Sequence, residues 1–138
     1  LPYLQKNSEV NDLINSLDID LTGLSGAEGW NLPAFNATCL GKWSIVLNET
    51  SHKDWSNENN CILVPSSKKI PSYDGKFFAQ GGPFNQGSIY DWDSDIVSQA
   101  MDKAVSKKGQ INTNGEKLKK EFSYEKTADL LLTELKKL

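Results

Sequence analysis

The chain contains no arginine: all 15 of its basic residues are lysine, set against 18 acidic residues for a formal charge of -3. Base readers and diphosphate clamps draw on the planar, bidentate guanidinium, so a nucleic-acid partner is not expected and any diphosphate must be held by other groups. There is one histidine and there are two cysteines, Cys39 and Cys61, far apart in sequence. That set cannot assemble a Cys/His zinc site, and no metal is expected. The two thiols, one in an expected helix and one opening an expected strand, read as reduced, buried side chains. Long apolar runs are also missing, and no basic segment followed by a signal-like apolar stretch opens the chain, so the sequence reads as soluble and cytoplasmic.

What is present fits one domain over residues 1–138, in which roughly two thirds of the unfolded surface can be buried. Val10, Leu13, Ile14 and Leu17 recur at helical spacing behind Ser8, a candidate N-cap. Ile19 to Leu24 reads as a strand, Leu32 to Leu40 as a short apolar helix closed by Gly41, and Trp43 to Leu47 as a second strand. Cys61 to Val64 is a third strand ended by Pro65. These runs are too continuously apolar for a sheet wet on one face, which favours a parallel α/β sheet covered on both sides, with ligands at the carboxyl ends of its strands.

Residues 66–88 are rich in Gly, Pro, Ser and Lys yet carry Tyr73, Phe77, Phe78 and Phe84, and so read as a long inserted loop that packs on something, as a hairpin or over a ligand or partner. Beyond it, Asp93 caps a helix with Ile96, Val97, Ala100, Met101, Ala104 and Val105 in one stripe, closed by Gly109. A short helical piece follows over 114–122, and a last helix starts near Ser123 with Ala128, Leu131, Leu132 and Leu135 on its expected buried face.

The stretch that carries chemistry is Ser25-Gly26-Ala27-Glu28-Gly29-Trp30-Asn31-Leu32-Pro33-Ala34-Phe35-Asn36. A strand ends, a glycine loop turns, and a helix begins with Pro33 in its first turn, where a missing N–H costs nothing. Free N–H groups and the positive end of the helix dipole there favour phosphate, carboxylate or hydroxyl oxygens. His52 follows the second strand and so lies at the ligand edge of such a sheet, while Lys42 and Lys53 are available to anions. Of the tryptophans, Trp30 alone sits inside the motif; Trp43 and Trp92 occupy positions where an indole packs.

That segment, followed by Gly41 and the strand Ser44-Ile45-Val46-Leu47, resembles the signature of the group-one family of retaining glycosyltransferases with two-domain GT-B architecture. There a Ser-x-x-Glu-Gly-aromatic-x-Leu-Pro segment leads into a helix carrying a second glutamate. Asp93 before an amphipathic helix, and Phe122-Ser123-Tyr124 with Thr127 and Ala128, are similar to the family's closing elements. The resemblance runs from about Val10 to the end, interrupted by 66–88. It implies a partial Rossmann-like fold, the GT-B C-terminal half as a three-layer sandwich with a short parallel sheet and a long inserted loop. It also implies transfer of a sugar from a nucleotide-sugar to an unidentified glycan or lipid acceptor with retention, and no cofactor.

Carried over by residue, Glu28 contacts donor hydroxyls as the catalytic-site carboxylate. Ser25, Gly29, Trp30, Asn31 and Leu32 line the donor site, with backbone N–H groups of 29–32 toward the sugar and distal phosphate; Asn36 stands where the family's second glutamate holds the ribose. The alternative reading is a non-catalytic nucleotide- or sugar-binding or oligomerisation module. Under either reading a sheet edge left by absent strands implies a homo-oligomer.

Overall fold

A computed structural model describes residues 4–73, 75–80 and 87–137. Helix α1 (Asn7–Ser16) leads into β1 (Ile19–Gly23), α2 (Leu32–Cys39) and β2 (Trp43–Leu47); a 3-10 turn (Thr50–Asp54) precedes β3 (Ile62–Val64). Strands β4 (Lys68–Pro71) and β5 (Ser88–Asp91) come next, then α3 (Ser94–Val105), α4 (Thr113–Glu121) and α5 (Tyr124–Leu135). The first three strands form a parallel sheet in the order β1-β2-β3, with Ile19 opposite Trp43 and Ile45 opposite Ile62. The chain is therefore α/β with a short parallel sheet, as its apolar strands require.

Period-two alternation sorts the strand residues onto two faces. Ile45, Leu47, Ile62 and Val64 meet Val97, Ala100 and Ala104 of α3 on one side. Val46 and Cys61 meet Ala34 and Cys39 of α2, Leu118 of α4 and Trp55 on the other. Burial pushes the thiol of Cys39 up to about 11 and that of Cys61 up to about 12, so both are protonated core side chains at neutral pH.

Strand β1 departs from regular register between Asp20 and Gly23, and at Gly23 the two backbones approach closely: a Cβ there would stand 2.4 Å from the Ile45 carbonyl oxygen. Helix α4 is seated by one buried side chain. Asn112 donates through Nδ2 to the carbonyls of Lys42 (3.0 Å) and Asn60 (2.7 Å), and accepts the Gly115 N–H at 2.9 Å. Gly115 in turn lies so close to Thr38 of α2 that a Cβ would be 2.4 Å from its carbonyl oxygen.

Several expectations need correction. The first helix begins at Asn7, with Lys6 rather than Ser8 at its cap and the Glu9 carboxylate accepting the Lys6 N–H at 2.9 Å. Of the readings open for 66–88, the hairpin holds: β4 and β5 pair antiparallel, Ile70 opposite Ile89, with β5 running past that stretch to Asp91. Tyr73, Phe77 and Phe78 in it are exposed, and Phe84 lies outside the described residues. The last helix has its cap at Ser123, whose Oγ accepts the Lys126 N–H at 3.2 Å, but Leu131, Leu132 and Leu135 are exposed and no α5 residue is buried. Both sheet faces are already occupied by α2 with α4 and by α3, leaving its apolar side nothing to pack against among the described residues.

Replacing Asn112 by Ala strands two carbonyls and the Gly115 N–H, and Gly115→Ala forces α4 off α2. Each change is expected to lower unfolding stability by about 1–3 kcal/mol in urea denaturation. Gly29→Ala serves as the control with a small effect, because nothing lies within 4 Å of a Cβ placed there.

Candidate functional site

The carboxyl ends of β1, β2 and β3 open onto the loop between β1 and α2 and onto the 3-10 turn after β2, and the loop is held from outside. Trp92 donates its indole N–H to the Leu24 carbonyl (3.0 Å), and the Tyr90 N–H of β5 donates to the Gly26 carbonyl (3.1 Å). The approach is tight enough that a Cβ on Gly26 would stand 1.7 Å from the Tyr90 carbonyl oxygen, so this position accepts only glycine without a shift. The inserted β4-β5 pair is thus the clamp of the glycine loop.

At the loop's end Asn31 takes a left-handed conformation, φ 60°, which asparagine tolerates better than most residues. Its Oδ1 accepts the Ala34 N–H of α2 (3.3 Å), and its Nδ2 donates to the Thr22 carbonyl of β1 (2.9 Å) and to Nε2 of His52 (3.1 Å). The Thr22 carbonyl and the Ala34 N–H fix which end of the amide is nitrogen, and that fixes the imidazole: Nδ1–H donates to the Leu47 carbonyl (2.9 Å) while Nε2 accepts. Burial pushes the His52 pKa below its ordinary value, opposed by the Leu47 carbonyl and by the Glu28 carboxylate nearby. Fully buried and bonded at both nitrogens, His52 is a neutral structural ring with no lone pair free for a substrate proton.

Glu28 is half-buried and close enough to bias that ring electrostatically. The Trp30 ring stands edge-on to Phe35 (5.5 Å) and Phe122 (5.2 Å), and its carbonyl accepts the Trp55 indole N–H at 3.1 Å. The structure thus brings Glu28, Trp30, Asn31 and His52 together. Ser25 and Gly29 lie exposed on the loop, Leu32 is exposed in the first turn of α2, and Asn36 is exposed one turn further on. The backbone N–H groups of Gly29, Trp30, Asn31 and Leu32 have no acceptor among the described residues. Lys53 is paired with Glu49, and Lys42 reaches the Asn15 carbonyl (2.8 Å) from the amino end of β2, away from this edge.

The same edge holds groups that the sequence pattern did not single out. Glu49 accepts the Ser66 hydroxyl at 2.8 Å, and its hydrogen bond from Lys53 holds its carboxyl below the usual range. Thr50 is left-handed (φ 55°), and its Oγ1 and the Oγ of Ser51 are buried without a partner among the described residues. Their only signal in sequence is their position shortly after the second strand. Among the described residues no group of three His, Cys, Asp or Glu side chains is arranged to hold a metal ion, and no helix is long and apolar enough to cross a membrane. Comparison with protein-family models, with curated proteins and with solved structures finds no match.

The folded His52 holds its proton less tightly than the unfolded chain, whose ordinary value is 6.5. As pH falls the unfolded state is protonated first, so stability is complete above about pH 6.5 and is lost as pH drops from there toward the folded-state value, with a slope of at most about 1.4 kcal/mol per pH unit. Urea unfolding between about pH 5 and 7 is expected to show this slope in the native chain and not in His52→Gln. A proton-NMR titration of the ring gives the same answer directly, and a folded-state value at or above 6.5 overturns it. Asn31→Ala, which removes the α2 cap and leaves Nε2 unpartnered, is expected to cost about 2–4 kcal/mol by the same urea assay.

Proposed function

We propose that the carboxyl edge of the three-stranded sheet is the donor-sugar side of a retaining glycosyltransferase, of the two-domain type that the 25–36 segment resembles. The observation that carries this reading is the placement of the half-buried Glu28 beside four consecutive unbonded N–H groups, Gly29 to Leu32, at the start of α2. A carboxylate accepts from sugar hydroxyls, and N–H donors at the positive end of a helix suit the oxygens of a departing diphosphate. Retaining transfer of this kind needs the leaving group stabilised and the acceptor hydroxyl held on the same sugar face, and fixed dipoles supply most of that without a titrating base. A structurally committed, neutral His52 is compatible with such chemistry.

In this reading Asn31 and His52 are positioning residues: they set the direction of the loop and of the α2 N-terminus. Trp30 anchors the loop in the aromatic cluster and offers its remaining exposed edge to the ligand. Asn36, exposed on α2, takes the ribose hydroxyls with an amide, and the acceptor glycan or lipid is brought by another part of the enzyme.

The test is calorimetric titration with UDP-glucose, GDP-mannose and the free nucleoside diphosphates. Saturable binding of a nucleotide-sugar, weakened roughly tenfold to a hundredfold in Glu28→Gln, is the expected result, since a hydrogen bond to a charged carboxylate contributes about 1.5–3 kcal/mol. Equal affinity in wild type and Glu28→Gln removes the assigned role.

A second reading, an association module, draws on the opposite sheet border. Strand β1 is paired on one side only among the described strands, and Ile19 and Leu21 join Met101 and Val105 of α3 in an apolar groove there. A second copy laid along that border predicts a dimer by light scattering that Leu21→Lys converts to monomer; a monomeric native chain rules this reading out.

A further inference from the structure

A second cleft lies between the segment that follows the 3-10 turn and helix α4, formed by residues of 53–60 on one side and of 114–121 on the other. It encloses about 380 Å³, inside the range of roughly 300–1,000 Å³ usual for small-ligand sites. Such sites are mostly apolar, whereas this one is walled by amides, a hydroxyl and charged side chains. We propose that it binds a neutral, polyhydroxylated ligand, a saccharide unit, independently of the donor reading given above.

The first support is Ser56. It lines the cleft, is only 8% exposed, and its Oγ is buried with no partner among the described residues. A hydroxyl in that state costs about 1–3 kcal/mol unless something completes its bonding. The second is the inventory of unengaged groups around it. The side-chain amide of Asn59 and the Nδ2 of Asn57 make no hydrogen bond among the described residues, the Asn57 Oδ1 being used by the Asn59 N–H (2.9 Å). The carboxylates of Asp54 and Glu121 stand outside every ion pair among the described residues. A sugar hydroxyl donates and accepts at once, and so satisfies a carboxylate and an amide together.

Charge argues against other ligands. Lys53 is paired with Glu49, and Lys117, hydrogen-bonded to the neutral Asn114 Oδ1 (2.8 Å), keeps a charge that Asp54 and Glu121 offset, so the walls present no net positive charge to draw a phosphate. A cationic ligand would pair with those carboxylates but leave the amide donors unmatched. The walls are already in place: Asn60 accepts the Asn57 N–H (2.7 Å) and donates to the Trp55 carbonyl (2.9 Å), and Asn114 donates to the Asn59 carbonyl (3.2 Å). Little ordering is left for the ligand to impose.

The experiment is a titration of the isotope-labelled full chain with methyl α-glucoside, methyl α-mannoside, methyl α-galactoside and maltose, following the side-chain amides of Asn57, Asn59 and Asn114 by NMR. At least one of these is expected to give saturable shifts at those amides with a dissociation constant on the order of millimolar. Asn59→Ala and Glu121→Ala, both at exposed positions, are expected to weaken it roughly threefold to tenfold each with unchanged circular dichroism. Glu28→Gln, outside the cleft, leaves this binding as it is, which separates the proposal from the donor reading. No shifts with any of these sugars up to roughly a hundred millimolar, shifts that neither cleft variant alters, or shifts produced by inorganic phosphate instead would each overturn the proposal.

Discussion

One side chain ties the carboxyl edge of the sheet together. Asn31 stands at the junction of β1, α2 and the 3-10 turn, and its amide bonds to all three: the Thr22 carbonyl, the Ala34 N–H and the His52 ring. Because the junction is buried, each of those bonds must be made or its desolvation cost stands uncompensated, so the strand end, the helix start and the turn have one relative arrangement. The direction of α2, the orientation of its unbonded N–H groups and the position of Glu28 all follow from that arrangement.

A second constraint comes from the insertion. The backbone of β5 lies against Gly26 too closely for any side chain, and Trp92 fixes Leu24 from the same direction. The loop is gripped on its outer side by β5 and Trp92 and on its inner side by Asn31. A loop held at both ends keeps its dipoles in fixed directions, the property that the proposed donor site calls for. At the cleft beside α4, Asn60 and Asn114 donate their side-chain amides to backbone carbonyls, while the Nδ2 of Asn57 and the side-chain amide of Asn59 stay unengaged among the described residues.

Histidine 52 illustrates how a side chain's role is settled by its neighbours. Its place after an apolar strand puts it at the carboxyl edge of the sheet, and there it is a buried ring bonded to Leu47 and Asn31 rather than an exposed side chain. A lone histidine in a polar stretch carries no periodic signal of burial. The same holds for Trp92, whose indole serves a carbonyl 68 positions away in the chain.

The sequence by itself determined the local elements. Trp43 to Leu47 and Ile62 to Val64 are strands because their apolar runs can be satisfied only between two helical layers, and Asp93 and Ser123 start helices because their side chains accept the N–H groups that a helix start leaves free. Tertiary structure alone decided that β4 and β5 pair and that β5 lies against the glycine loop, that Leu131, Leu132 and Leu135 of α5 stay exposed, and that Asn31 and His52 are buried while Glu28 is only half-buried. The physical reason is range. Periodicity and capping act within a turn or two of the chain, whereas the covering of an apolar face and the satisfaction of a buried amide depend on partners that only the completed fold brings near.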